Sequence, residues 1–130
     1  MARPANLANR SLGRWGEDRA AAHFRALGYE LLDRNWRSPW RELPGELDVI
    51  ARTSGPGTQV IVFCEVKTRR SAQHGGAAMA VGEAKQQRVR ALAEAWLRAR
   101  ASDAEEFDAH VRFDVVAIDG VRLTHYESAF

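Results

Sequence analysis

The sequence predicts an α/β domain with one mixed sheet flanked by helices, in the order helix, three strands, helix, two strands. Three observations point to it. Residues 9–27 and 81–100 carry apolar side chains at helical spacing. Between and after them lie apolar runs of strand length, bounded by glycine, proline and asparagine or aspartate. The chain has 130 residues, the size of a single core. Residues 1–130 are therefore read as one domain, with 1–8 expected to be flexible.

The first helix covers "NRSLGRWGEDRAAAHFRAL" (9–27), with Leu12, Gly16, Ala20, His23, Phe24 and Leu27 on one face. Asn9 or Ser11 can cap its start, and Gly28 suits its end. "YELLDRNWR" (29–37) reads as a strand and "SPWRELPG" (38–45), with two prolines and a glycine, as a loop. "ELDVIAR" (46–52) is a second strand, "TSGPGT" (53–58) a turn, and "QVIVFCEVK" (59–67) a third strand. The third strand is apolar on both faces, which predicts a central place in the sheet. A basic connection (68–80) leads to the second helix, "VGEAKQQRVRALAEAWLRAR" (81–100), and an acidic one (101–109) follows. "HVRFDVVAI" (110–118) and "RLTHYES" (122–128) close as a hairpin around Asp119 and Gly120.

Composition narrows the setting. Hydrophobic residues make up 45% and charged residues 28%, the range of a folded globular chain. The net charge of +2 is too small to argue for nucleic acid by itself. Cys64 is the single cysteine, so no intrachain disulfide forms. The N-terminus lacks the apolar core of a signal peptide, and no apolar run reaches the roughly 18 residues of a membrane span. A cytoplasmic location is the expectation. The 19 basic residues comprise 17 Arg and 2 Lys, which makes the positions of Lys67 and Lys85 informative. An ammonium is a compact charge with a pKa that shifts readily, unlike a guanidinium.

Side chains alternate along a strand. Ile61, Phe63, Glu65 and Lys67 therefore share a face, apolar first and ionic last. On the preceding strand Glu46, Asp48 and Ile50 share a face, which embeds Asp48 in an apolar run. Pairing the two strands as an antiparallel hairpin brings their acids to one edge of the sheet. Two carboxylates on rigid strands can hold a hard divalent cation such as Mg²⁺. A neighbouring ammonium then faces phosphate or water, as phosphodiester hydrolysis requires. A bare acid-x-lysine is more often a structural ion pair, but the apolar context and the second embedded acid argue for more here. Lys85 falls on the apolar stripe of the second helix with Val81, Leu92, Trp96 and Ala99. It either snorkels to solvent or points into an acidic or phosphate-binding site. Glu17, at the border of the first helix's stripe, is either a solvated flank or a further acid of that site.

Arg69 and Arg70 follow the third strand directly, and Arg37 and Arg41 flank the loop beside Trp36 and Trp40. Arginines hold phosphates and indoles stack on unpaired bases; the alternative is a solvated face over core tryptophans. His23, His74, His110 and His125 show no ligand spacing and are assigned no metal. Cys64 reads as a core residue, and Asp114 as a structural partner of Arg112.

The segments "GRWGEDRAAAHFRALGYELLDRNWR", "GELDVIAR", "VFCEVKTR", "AKQQRVRALAEAWL", "RFDVVAI" and the terminal "AF" together resemble the PD-(D/E)xK nuclease superfamily. More closely, the chain is similar to the YraN family of small bacterial proteins. The resemblance runs from Gly13 to Phe130 and implies a restriction endonuclease-like fold, similar to that of archaeal Holliday junction resolvases. By position, Asp48 and Glu65 match the metal-binding acids and Lys67 the motif lysine. Glu17 matches the first-helix acid of resolvase-like members, and Lys85 a site-completing residue of the second helix. The implied activity is Mg²⁺- or Mn²⁺-dependent hydrolysis of DNA phosphodiester bonds, on branched or damaged DNA. Asp48, Glu65, Lys67 and Lys85 would be catalytic, with Glu17 assisting at the metal. The rival expectation is a non-catalytic nucleic-acid-binding or protein-interaction module that retains the fold. Nucleases of this fold commonly dimerise, so a second copy of the chain is an expected partner. Leu47 departs from the motif proline, and "SPWRELP" lengthens the loop before Gly45.

Overall fold

The computed structural model describes residues 4–69, 81–100 and 110–130, with side chains from residue 10 onward. Its elements are α1 (Pro4–Ala26), β1 (Glu30–Arg37), β2 (Glu46–Arg52), β3 (Val60–Arg69), α2 (Glu83–Ala99), β4 (His110–Asp119) and β5 (Arg122–Tyr126). The five strands form one mixed sheet in the order β1-β2-β3-β4-β5. β3 and β4 pair in parallel, and the other neighbours pair antiparallel. This is the expected αβββαββ order and is consistent with a restriction endonuclease-like fold. No helix among the described residues is long and apolar enough to cross a membrane.

Alternation along β3 feeds two cores. Val62 and Cys64 pack with Ala20 and Phe24 of α1, and Ile61 and Phe63 pack with Val89, Leu92, Ala93 and Trp96 of α2. The helices therefore cover opposite faces of the sheet, which explains why β3 is apolar on both sides and sits third of five strands. Trp96 is wholly buried, and its indole N–H donates to Asp33 Oδ2 at 3.2 Å. That bond meets the donor's need in a dry core.

Several sequence expectations shift. α1 begins at Pro4, five residues ahead of Asn9. Leu27 is 53% exposed rather than on the buried face, because the helix ends at Ala26 and Gly28, at φ +90°, turns the chain away. Ala99 is exposed at the last turn of α2. In the β4/β5 hairpin Asp119 pairs with Arg122, so the loop residues are Gly120 and Val121, one step later than expected. Trp36 is partly buried against the α2-side core, which removes it as a stacking platform, whereas Trp40 is 51% exposed.

On the α1 side a polar knot joins distant parts of the chain. Asp114 is wholly buried and receives Arg112 Nε and Nη2, both at 2.8 Å, the Ser128 backbone N–H at 3.1 Å and His125 Nε2 at 2.7 Å. His125 in turn meets His23 of α1 at 3.0 Å. Arg112 also donates to the Tyr29 hydroxyl at 2.9 Å. These partners hold the Asp114 carboxyl below its ordinary value, although burial pushes the other way. The expected structural pairing of Asp114 with Arg112 is thus present, within a larger network.

Candidate active site

The site forms where β2 and β3 part. Their ladder runs from Arg52 opposite Ile61 to Val49 opposite Cys64. Beyond it the Val66 N–H donates to Asp48 Oδ2 at 2.9 Å, so a side chain takes the place of a backbone acceptor. This fixes Asp48, which is 9% exposed, in the gap between the strands. Strict alternation breaks here: Leu47 and Ile50, of opposite parity, both join the α2-side core. On β3, buried Glu65 is met by Lys85 Nζ from α2 at 2.6 Å. Lys85 is half exposed, so its stem runs along the surface while its ammonium turns inward.

The third wall is α1. A Cβ built on Gly16 would stand 2.1 Å from Thr68 Oγ1, closer than any real contact. Glycine at this position lets the helix lie against β3 and carries Glu17 over the gap. Glu17, Glu46 and Asp48 each present a carboxylate oxygen, and these oxygens all lie within 4.8 Å of one another. Gly45, at φ +102°, starts the turn into β2 in a conformation that suits glycine.

Together these groups line a cavity of about 400 Å³ whose charged walls are Glu17, Glu46, Asp48, Glu65, Lys85 and Arg88. Burial, followed by the charges of Glu65, Glu17 and Glu46, pushes the Asp48 carboxyl up to about 8 against the Val66 N–H. The neighbouring acids thus oppose the ionisation of Asp48. The donor set is wholly carboxylate oxygen, which fits a hard divalent cation such as Mg²⁺ or Mn²⁺. The Lys67 ammonium is lowered, first by burial and then by the charges of Lys85 and Arg69, with Glu65 opposing.

Comparison with known proteins places the chain. Residues 16–118 match the family described as Uncharacterised protein family UPF0102. The chain belongs to the UPF0102 family. A UPF0102 protein of Syntrophotalea carbinolica is 42% identical over 124 residues, covering 92% of this chain and 91% of that protein. One from Frankia casuarinae is 43% identical over 125 residues, covering 92% and 96%. One from Rhodococcus jostii is 46% identical over 110 residues, covering 85% and 83%.

In this UPF0102 chain, Asp48, Glu65, Glu17 and Lys85 meet at one cavity, although they come from four different elements. Lys67 shares the field of Lys85 and Glu65 but is not among the lining residues. The carboxylates whose oxygens lie within 4.8 Å of one another are Glu17, Glu46 and Asp48, while Glu65 lines the same cavity and pairs with Lys85. Glu46 carries no expected role from the sequence, although its position two residues before Asp48 on β2 is the signal that puts it on the same face. Arg37 binds Glu46 at 3.1 Å. Arg41 and Arg69 line neither this cavity nor its neighbour. Arg70 and His74 lie outside the described residues. Cys64 is buried, as expected of a core residue, and burial pushes its thiol well up.

Proposed function

We propose that this UPF0102 protein is a divalent-cation-dependent nuclease of the PD-(D/E)xK type, hydrolysing DNA phosphodiester bonds in branched or damaged DNA. The observation that supports it most is the convergence of Glu17, Glu46 and Asp48 in a cavity that also holds Glu65 and Lys85. The resemblance of the ordered motifs to the YraN family and to that nuclease superfamily points the same way. When bound, Mg²⁺ or Mn²⁺ supplies charge neutralisation at the phosphate and a more acidic water. Glu17, Glu46 and Asp48 are the residues that would hold it. Lys85, tethered to Glu65, is placed to offer its ammonium to a phosphate oxygen instead. Lys67 has an ammonium made easier to deprotonate by burial, which suits holding or moving a proton of the attacking water.

One observation favours a non-catalytic module that retains the fold. The Lys85 ammonium, 2.6 Å from Glu65, already neutralises one of the acids that the nuclease reading needs. That reading predicts no cation binding. Calorimetric titration with Mn²⁺, paired with incubation of junction, flap and single-stranded DNA, separates the two. The nuclease reading expects binding heat that is lost in Asp48→Asn, and cleavage that is lost in Glu65→Gln and Lys67→Met. Cleavage undiminished in both variants would sink the assignment. No Mn²⁺ heat with the wild-type chain would favour the module.

A further inference from the structure

A second cavity, of about 660 Å³, opens beside the acidic one, between α1 and the edge strand β1. The two share Gly13, Glu17 and Glu46 as common walls, so they form one continuous trough. The outer half carries four arginines: Arg10 and Arg14 from α1, and Arg34 and Arg37 from β1. Two of them are neutralised within the wall. Arg34 binds Asp18 at 2.6 Å and Arg37 binds Glu46 at 3.1 Å. Arg10 and Arg14 are exposed and have no ion-pair partner among the described residues. They stand one helical turn apart on the same face, where like charges repel. An anion between them removes that repulsion. At the other end of the trough α2 contributes Lys85 and Arg88. Cations therefore stand on both sides of the carboxylates, and the acids occupy the middle.

This alternation suits a chain of phosphates and no single small anion. Arginine grips phosphate oxygens with two parallel N–H donors. We propose that the trough between α1 and β1 is the track for one strand of a polynucleotide, with Arg10 and Arg14 holding phosphates next to the one over the carboxylates. The assignment rests on the nuclease reading of the acidic cavity and adds to it a direction of approach. The strand enters along α1, passes the carboxylates, and leaves toward Arg88.

The test is fluorescence anisotropy with a labelled single-stranded oligodeoxythymidylate in Ca²⁺ buffer, repeated across a salt series. Each single-strand phosphate contact contributes about 0.7 to the slope of log K against log salt. The Arg10→Ala/Arg14→Ala double variant should bind at least about tenfold more weakly, with its slope reduced by about 1.4. Arg10→Lys/Arg14→Lys should keep the wild-type slope, because charge is retained, while losing part of the affinity. Arg98→Ala, on the exposed part of α2 and paired with Glu94, should match the wild type. Both arginines of the double variant are exposed, and a thermal melt checks that it is folded. A double variant with the wild-type slope would overturn the track and leave the cation site standing on its Mn²⁺ titration. A wild-type protein that does not bind the oligonucleotide would also overturn the track, whereas the nuclease reading stands or falls on its Mn²⁺ titration and on cleavage of junction and flap DNA.

Discussion

Substituting Gly16 by alanine tests the contact that sets α1 against β3. Two effects oppose each other. Alanine favours a helix interior over glycine by about 0.8–1.0 kcal/mol. Its methyl group would stand 2.1 Å from Thr68 Oγ1 and 3.1 Å from Thr68 Cβ and Cγ2. Rotating the Thr68 side chain cannot fully relieve this, because Cβ does not move. Overpacking of this kind costs about 1–3 kcal/mol, so Gly16→Ala alone should change stability by about 0–2 kcal/mol in the unfavourable direction. The sharper quantity is the coupling with Thr68→Ala. The helix gain is the same in both backgrounds and cancels in a double-mutant cycle. What remains is the steric conflict with Oγ1 and Cγ2, expected at about 1–3 kcal/mol. Urea melts of the four proteins measure it. A coupling below about 0.5 kcal/mol, the ordinary scatter of additivity, would show that the close approach does not place the helix. On the nuclease reading, Gly16→Ala should also weaken Mn²⁺ binding, because it lifts Glu17 from its partners.

Two further outcomes are expected. Arg112→Met leaves the wholly buried Asp114 carboxylate without its two guanidinium bonds, and Arg112 is itself only 18% exposed. Breaking such a pair costs about 3–5 kcal/mol, so the melting temperature should fall by about 10–20 °C; a fall within ~2 °C would mean the knot is not what holds the carboxylate. The second concerns pH. Asp48 has its folded value raised from 3.8 to about 8, so the fold favours the protonated acid. That contribution is fully present below pH 3.8 and lost as pH rises through about 8. Cation-free protein should therefore lose stability, relative to Asp48→Asn, between urea melts at about pH 5 and about pH 8. An unchanged difference between the two pH values would remove the raised Asp48 carboxyl, and with it the effect of its burial and of the neighbouring acids, from the account.

The frame of the molecule was legible because it depends on local patterns. β3 has apolar residues on both faces, and only a strand between neighbours, with a helix above and below, can bury them. The motif acids were legible for a related reason, since Asp48 and Glu65 interrupt apolar runs. Four things were not. The gap that admits Asp48 depends on where the β2/β3 ladder stops, and alternation assumes that it does not stop. Glu46 takes its position from that same departure. Arg10 and Arg14 matter through the edge strand that faces them, and on the helix alone they are ordinary solvated arginines. The knot of His23, Arg112, Asp114 and His125 joins residues about a hundred positions apart, beyond the reach of spacing rules.

Asp114 also bears on how the chain is made. A ribosome releases β4 before the residues that complete the carboxylate's shell. The backbone of Ser128 closes that shell, Ala129 N–H bonds Phe113 O at 2.8 Å, and Phe130 stacks on Phe113 at 5.3 Å. β4 is the strand that joins β3 to β5. A nascent chain short of Ser128 would hold a charged group in its centre with one bond too few, so the final tight packing awaits residues 128–130.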